Sequence, residues 1–166
     1  MARIFLVLVF AILIGPAWAA GTSGEEGAQL PTDDPAHAKA VEAIKAGNFG
    51  LAVKLLRDVV DRNPDNIDAL SNLGYANARL GRYVRAKRRY ARALALEPGH
   101  LGANEYLGEL YLRQGKLAAA ITQLAVLRGI CGAGCPEAGD LAAAIAAYRK
   151  TGRFQDDTPG NGKTEQ

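Results

Sequence analysis

The 166-residue chain has 2 cysteines, 2 histidines, 1 methionine and 1 tryptophan, and aromatic residues make up only 7% of it. These shortages exclude several chemistries. His37 and His100 are too few and too widely separated for a hydrolytic constellation, and a zinc site with its about four ligands is out of reach. No histidine follows Cys135, so covalent haem attachment has no motif. Nucleophile-elbow, phosphate-loop and metalloprotease patterns are missing as well. The residues therefore point to no catalysis, no metal and no cofactor. An excess of one charge sign is also lacking, since the net charge is +3. Whole-molecule charge thus indicates neither a nucleic-acid nor an acidic partner.

The apolar run from Ile4 to Ile14 is short. About 11 residues rise only ~16 Å as a helix, against the ~30 Å of a hydrocarbon core. Arg3 precedes the run, Gly15-Pro16 breaks it, and Ala17-Trp18-Ala19 supplies small residues at the −3 and −1 places. Residues 1–19 are therefore expected to be a secretory signal peptide, cut after Ala19. The product is expected to be exported without a transmembrane segment, periplasmic in a Gram-negative cell and otherwise secreted. Residues 20–32, with Gly21, Ser23, Gly24, Glu25, Glu26 and Gly27, read as a flexible linker. Residues 151–166, with Asp156, Asp157, Pro159, Gly160 and Gly162, read as a disordered tail. Residues 33–150 remain as one domain.

What the chain does have is a period. Gly47, Gly81 and Gly115 stand 34 residues apart, followed in step by Phe49, Tyr83 and Leu117, by Ala52, Ala86 and Ala120, and by Leu56, Tyr90 and Leu124. Pro64 and Pro98 keep the same interval, and Leu73-Gly74 recurs as Leu107-Gly108. This period belongs to helix–turn–helix arrays, whose surfaces bind partners. In the clearest unit Asn66 is placed to cap a first helix, and Gly81 to end it in the left-handed conformation. Tyr83, Ala86, Tyr90 and Ala93 form the buried stripe of the second helix. Gly74 is expected to face Ala86 or Ala93 and so bring the two helices close. His100 reads as a helix-start residue rather than a base. A further helix from Pro136 to Arg149, burying Leu141, Ala144, Ile145 and Tyr148, is expected to cap the last unit.

The places held by Leu70, Leu73, Gly74, Asn77, Gly81, Tyr83, Ala86, Tyr90, Ala93 and Pro98 resemble the tetratricopeptide repeat (TPR) pattern. Asn77 departs from it, since tyrosine is usual there, whereas the next unit supplies Tyr111. The unit from Asp33 to Asn66 matches only in its second half, with Lys39-Ala40 where Leu-Gly is expected. The resemblance implies an all-α fold, a right-handed superhelix of about three helix–turn–helix units plus the C-terminal cap. It also implies a concave face that receives an extended peptide or a partner helix. That face would be lined by Tyr75, Ala78 and Arg79 and by Glu105, Glu109, Leu112 and Arg113, with His37, Val41 and Lys45 as possible additions. The Lys/Asn clamp by which some relatives hold a C-terminal carboxylate is not reproduced, because Ser71 and Tyr75 occupy two of its places.

Two further features stand out. Cys131 and Cys135 flank a glycine-containing loop, and in an exported protein they read as a structural disulfide; a reactive or metal-binding pair is the alternative. Arg82, Arg85, Arg89 and Arg92 follow steps of three and four and make one stripe opposite the buried face. The stripe is either a solvated surface or a contact for anionic headgroups, polysaccharide or an acidic partner. The expected function is that of an exported, non-enzymatic scaffold binding a protein or peptide in an envelope or secretion-related assembly. The alternatives are an envelope-surface binder using the arginine stripe and a thiol–disulfide participant using the cysteine pair.

Overall fold

The computed structural model describes residues 34–155 apart from Ala133. The expected signal peptide, the linker and the tail beyond Gln155 lie outside the described residues. Those described form seven helices and no strand: α1 Pro35–Lys45, α2 Phe49–Arg62, α3 Ile67–Arg79, α4 Tyr83–Leu96, α5 Leu101–Arg113, α6 Leu117–Cys131 and α7 Pro136–Thr151. The fold is an all-α solenoid of stacked helix pairs. Consecutive helices pair, the first helices α1, α3 and α5 pack side by side, and α7 packs against both α5 and α6.

Local chemistry sets the boundaries. Asn66 Oδ1 accepts the Ala69 N–H at 2.9 Å, and in the next unit His100 Nδ1 accepts the Ala103 N–H at 3.0 Å, so His100 is a helix cap. Gly47, Gly81 and Gly115 follow the first helices with φ of 73°, 71° and 72°, a conformation open cheaply only to a residue without Cβ.

The packing revises one expectation. Gly74 faces the ring of Tyr90, not Ala86 or Ala93: a Cβ at Gly74 would lie 2.4 Å from Tyr90 Cε1 and 2.7 Å from Cδ1. The missing side chain is the space the ring occupies. One period earlier the same two places hold Ala40 and Leu56, both fully buried in one cluster with Ala43, Ala52 and Leu73. A smaller residue on the second helix goes with a larger one on the first, so the irregular first unit still packs as a helix pair.

At the other end, a Cβ on Gly108 would lie 2.4 Å from Leu141 Cδ2, which seats α7 on α5. Leu141 and Ile145 join Leu112, Ala120, Leu124 and Leu127 in the last buried cluster. α7 thus covers the end of the stack. Thr151 belongs to α7, and Gly152 then turns with φ 69°. Phe154 packs on the last cluster. The packed part of the chain therefore extends past the boundary expected at Lys150.

Candidate functional site

Residues four apart on one helix share a face, and neighbouring first helices set those faces edge to edge. Tyr75 on α3 and Glu105, Glu109 and Arg113 on α5 accordingly line a single cleft of about 490 Å³. Its far wall is α7, through Asp140, Ala143, Ala144 and Ala147, with Phe154 and Gln155 at one end. The Arg113 guanidinium lies 4.5 Å from the Phe154 ring centroid. Arg79, one turn beyond Tyr75, donates to the Tyr75 hydroxyl at 2.9 Å and stacks 4.5 Å over Phe49. Tyr75 in turn meets Phe49 edge-on at 6.2 Å and Tyr106 at 4.8 Å between centroids. An aromatic ladder tied by a guanidinium thus runs from α2 across α3 to α5.

Two residues expected on this face do not reach it. Ala78 is 4% exposed and packs with Ala86, Tyr90 and Leu110, and Leu112 is 1% exposed within the last cluster. Each precedes an arginine by one residue, and the 100° step turns it toward the neighbouring helix. They are core residues. Of the possible additions, His37 contacts the Asn72 amide at 3.0 Å, Lys45 pairs with Glu42 at 2.8 Å, and Val41 lines a separate apolar groove with Leu51 and Leu55. The α7 wall was not foreseen, because the sequence marks that helix only as a cover.

Glu105 lies at the base of this cleft. Burial, then the negative charges of Glu109, Asp140 and Glu137, push its carboxyl up to about 8 from an ordinary 4.5. At neutral pH it is a hydrogen-bond donor as well as an acceptor. Between these values the folded chain holds a proton that the unfolded chain has lost, so stability falls as pH rises from about 4.5 to about 8. Discounted for partial solvent access, the loss is on the order of 2 kcal/mol. Thermal melts from pH 5 to 9 should show this decline in the wild type and a flatter profile for Glu105→Gln, which should also be the more stable of the two above pH 8.

The arginine stripe does not act as a unit. Arg92 pairs with Asp65 at 2.6 Å, while Arg85 and Arg89 line a different cleft, between α2, α3 and α4. Cys131 ends α6 and Cys135 precedes α7; their Cα atoms are 5.9 Å apart, a separation that a disulfide can span. Among the described residues no three His, Cys, Asp or Glu side chains converge on a metal position, and no helix is long and apolar enough to cross a membrane.

Family models for the tetratricopeptide repeat match residues 37–86 and 78–130. A TPR repeat-containing protein of Pseudomonas aeruginosa is 36% identical over 106 residues, 63% of this chain; the match spans 18% of that longer protein. Among solved structures, the Yersinia enterocolitica type III secretion chaperone SycD in complex with a peptide of the translocator YopD has a TM-score of 0.60 at 18% identity. The match covers 70% of this chain and 88% of that one. The TPR2B domain of yeast Sti1, in its Hsp70 complex, has a TM-score of 0.61 at 20% identity, covering 69% and 96%. At these identities the two structures share the fold.

Proposed function

The chain belongs to the tetratricopeptide repeat family, and we propose from that premise that it is a non-enzymatic scaffold receiving a peptide or partner helix in the cleft between α3, α5 and α7. One observation carries the reading: Tyr75, Glu105, Glu109 and Arg113, from consecutive first helices, converge on one walled cleft. A cleft with an aromatic side chain, carboxyl groups and a guanidinium suits a segment of mixed polarity, which main-chain groups and one or two anchoring side chains would hold. The peptides bound by SycD and by the Sti1 domain support this use of the fold. Export, and work in an envelope or secretion-related assembly, are part of the proposal and rest on the reading of residues 1–19. In that setting Cys131 and Cys135 form a structural bridge between α6 and α7.

A photo-crosslinker at Ala143, on the exposed side of the α7 wall, tests the site directly. It should capture a partner in the native envelope fraction. Capture should fall at least about tenfold, roughly 1.4 kcal/mol, when Tyr75→Ala and Arg79→Ala are combined, with the helical signal retained. Undiminished capture by the folded double variant would move the partner away from this cleft.

A further inference from the structure

Two residues beyond Tyr75, and about 200° around α3, Asn77 faces the other side of the helix. There a second cleft of about 490 Å³ opens between α2, α3 and α4. Leu73 and Asn77 line it together with Arg57 from α2 and Arg85, Arg88 and Arg89 from α4. No carboxylate is among the lining residues. Unlike Arg92 and Arg62, which are paired with Asp65 and Asp34, these four guanidiniums have no ion pair among the described residues. Asn77 is 4% exposed and spends an amide proton on the Leu73 carbonyl at 2.7 Å.

The repeat supplies its own control. One period later the places of Asn77, Arg85, Arg88, Arg89 and Arg57 hold Tyr111, Ala119, Thr122, Gln123 and Ala91. The third unit folds into the same helix pair without a single one of these arginines, so the solenoid does not require them. Tyr111 there packs its ring against the last cluster, whereas the shorter Asn77 leaves space. Collecting four like charges around a cavity costs self-repulsion that a merely solvated face would relieve with interspersed acids. An anion supplies the missing countercharge, and guanidinium forks match the oxygens of a phosphate two at a time.

We propose that this cleft is a binding site for a phosphate-bearing ligand, with Arg57, Arg85, Arg88 and Arg89 holding the phosphate oxygens and the space above Asn77 admitting the group between them. The volume falls within the range of small-molecule pockets, so the ligand is a compact polyphosphate or phosphodiester group rather than a long polymer. The site is separate from the cleft between α3, α5 and α7, and either can be occupied without the other.

The test is calorimetric titration of the full chain with inorganic pyrophosphate at low salt, paired with co-sedimentation on phosphatidylglycerol vesicles. Two variants borrow from the third unit: Asn77→Tyr fills the cleft and keeps every arginine, and Arg88→Gln with Arg89→Gln keeps the cleft and removes charge. Circular dichroism verifies that each is folded, and the arginine pair carries the test if Asn77→Tyr is not. Submillimolar pyrophosphate binding, weakened at least tenfold by each folded variant, is the expected result. If pyrophosphate also displaces the protein from vesicles, the natural source is a lipid headgroup; if vesicles never bind, it is a soluble phosphate compound. Absence of pyrophosphate binding at low salt overturns the proposal. So does binding that a folded Asn77→Tyr variant leaves unchanged, because the anion would then sit on surface charge and not in the cleft.

Discussion

Replacing Gly74 by valine should lower stability by about 3 kcal/mol and the melting temperature by about 10 °C, a change that a thermal melt followed by circular dichroism would resolve easily. The position of a first β-carbon already lies 2.4 Å from Tyr90 Cε1. The ring has little freedom to yield, because Tyr90 is fully buried against Ala86 and Leu110 and borders Tyr106. Helices this close cannot part locally, so α3 and α4 must separate or the ring must leave. The first unit shows the remedy, since Ala40 and Leu56 occupy the corresponding places. Gly74→Ala alone should cost less than valine, and Tyr90→Leu alone should leave a void. Combined, they should be at least about 1 kcal/mol more stable than the sum of the two losses. Strict additivity would show that the glycine is needed for some reason other than the ring.

The same pair marks the reach of sequence reasoning. A 34-residue period sees what recurs, so the three turn glycines, the Asn66 cap, the alternating helices and the closing helix were all legible. Which side chain fills the space over Gly74 is a matter of depth between two helices, and the period is blind to it. The burial of Ala78 and Leu112 is hidden from the period for a related reason. A helical face is continuous around its edge, and one residue of rotation separates a cleft-facing arginine from a core aliphatic. The convergence of Tyr75, Glu105, Glu109 and Arg113 was legible, because it needs only that first helices lie side by side. The opposite wall was not. It depends on α7 standing where the next first helix would stand, and α7 has no repeat partner from which to read its angle. Arg57 is hidden for another reason: it is on α2, whereas the arginine stripe runs along α4 alone.

The largest functional loss should therefore come from α7, at a residue that never touches the partner. Leu141 is fully buried over Gly108, and among the described helices α7 contacts only α5 and α6. In a repeat stack stability is a sum of units and their nearest-neighbour interfaces, so damage at the end stays at the end. Leu141→Ala should cost about 3 kcal/mol, within the range for a large-to-small change at a buried site. Leu141→Asp should detach the helix altogether. About one sixth of the helical signal, the 16 residues of α7 among the 96 in the seven described helices, should then be lost well below the main melting transition. A bridge between Cys131 and Cys135 closes so short a loop that it contributes at most roughly 2 kcal/mol. Replacing both cysteines by serine should thus lower the early transition without abolishing it. Partner capture should follow α7, because the detached helix takes with it Asp140, Ala143, Ala144 and Ala147, the whole far wall of the cleft. A Leu141→Asp chain that still captures its partner, with α7 shown to be detached by rapid amide exchange over residues 136–151, would mean that the partner needs only α3 and α5. One that melts in a single lowered transition would mean that α7 is integral to the stack and not a closing piece laid upon it.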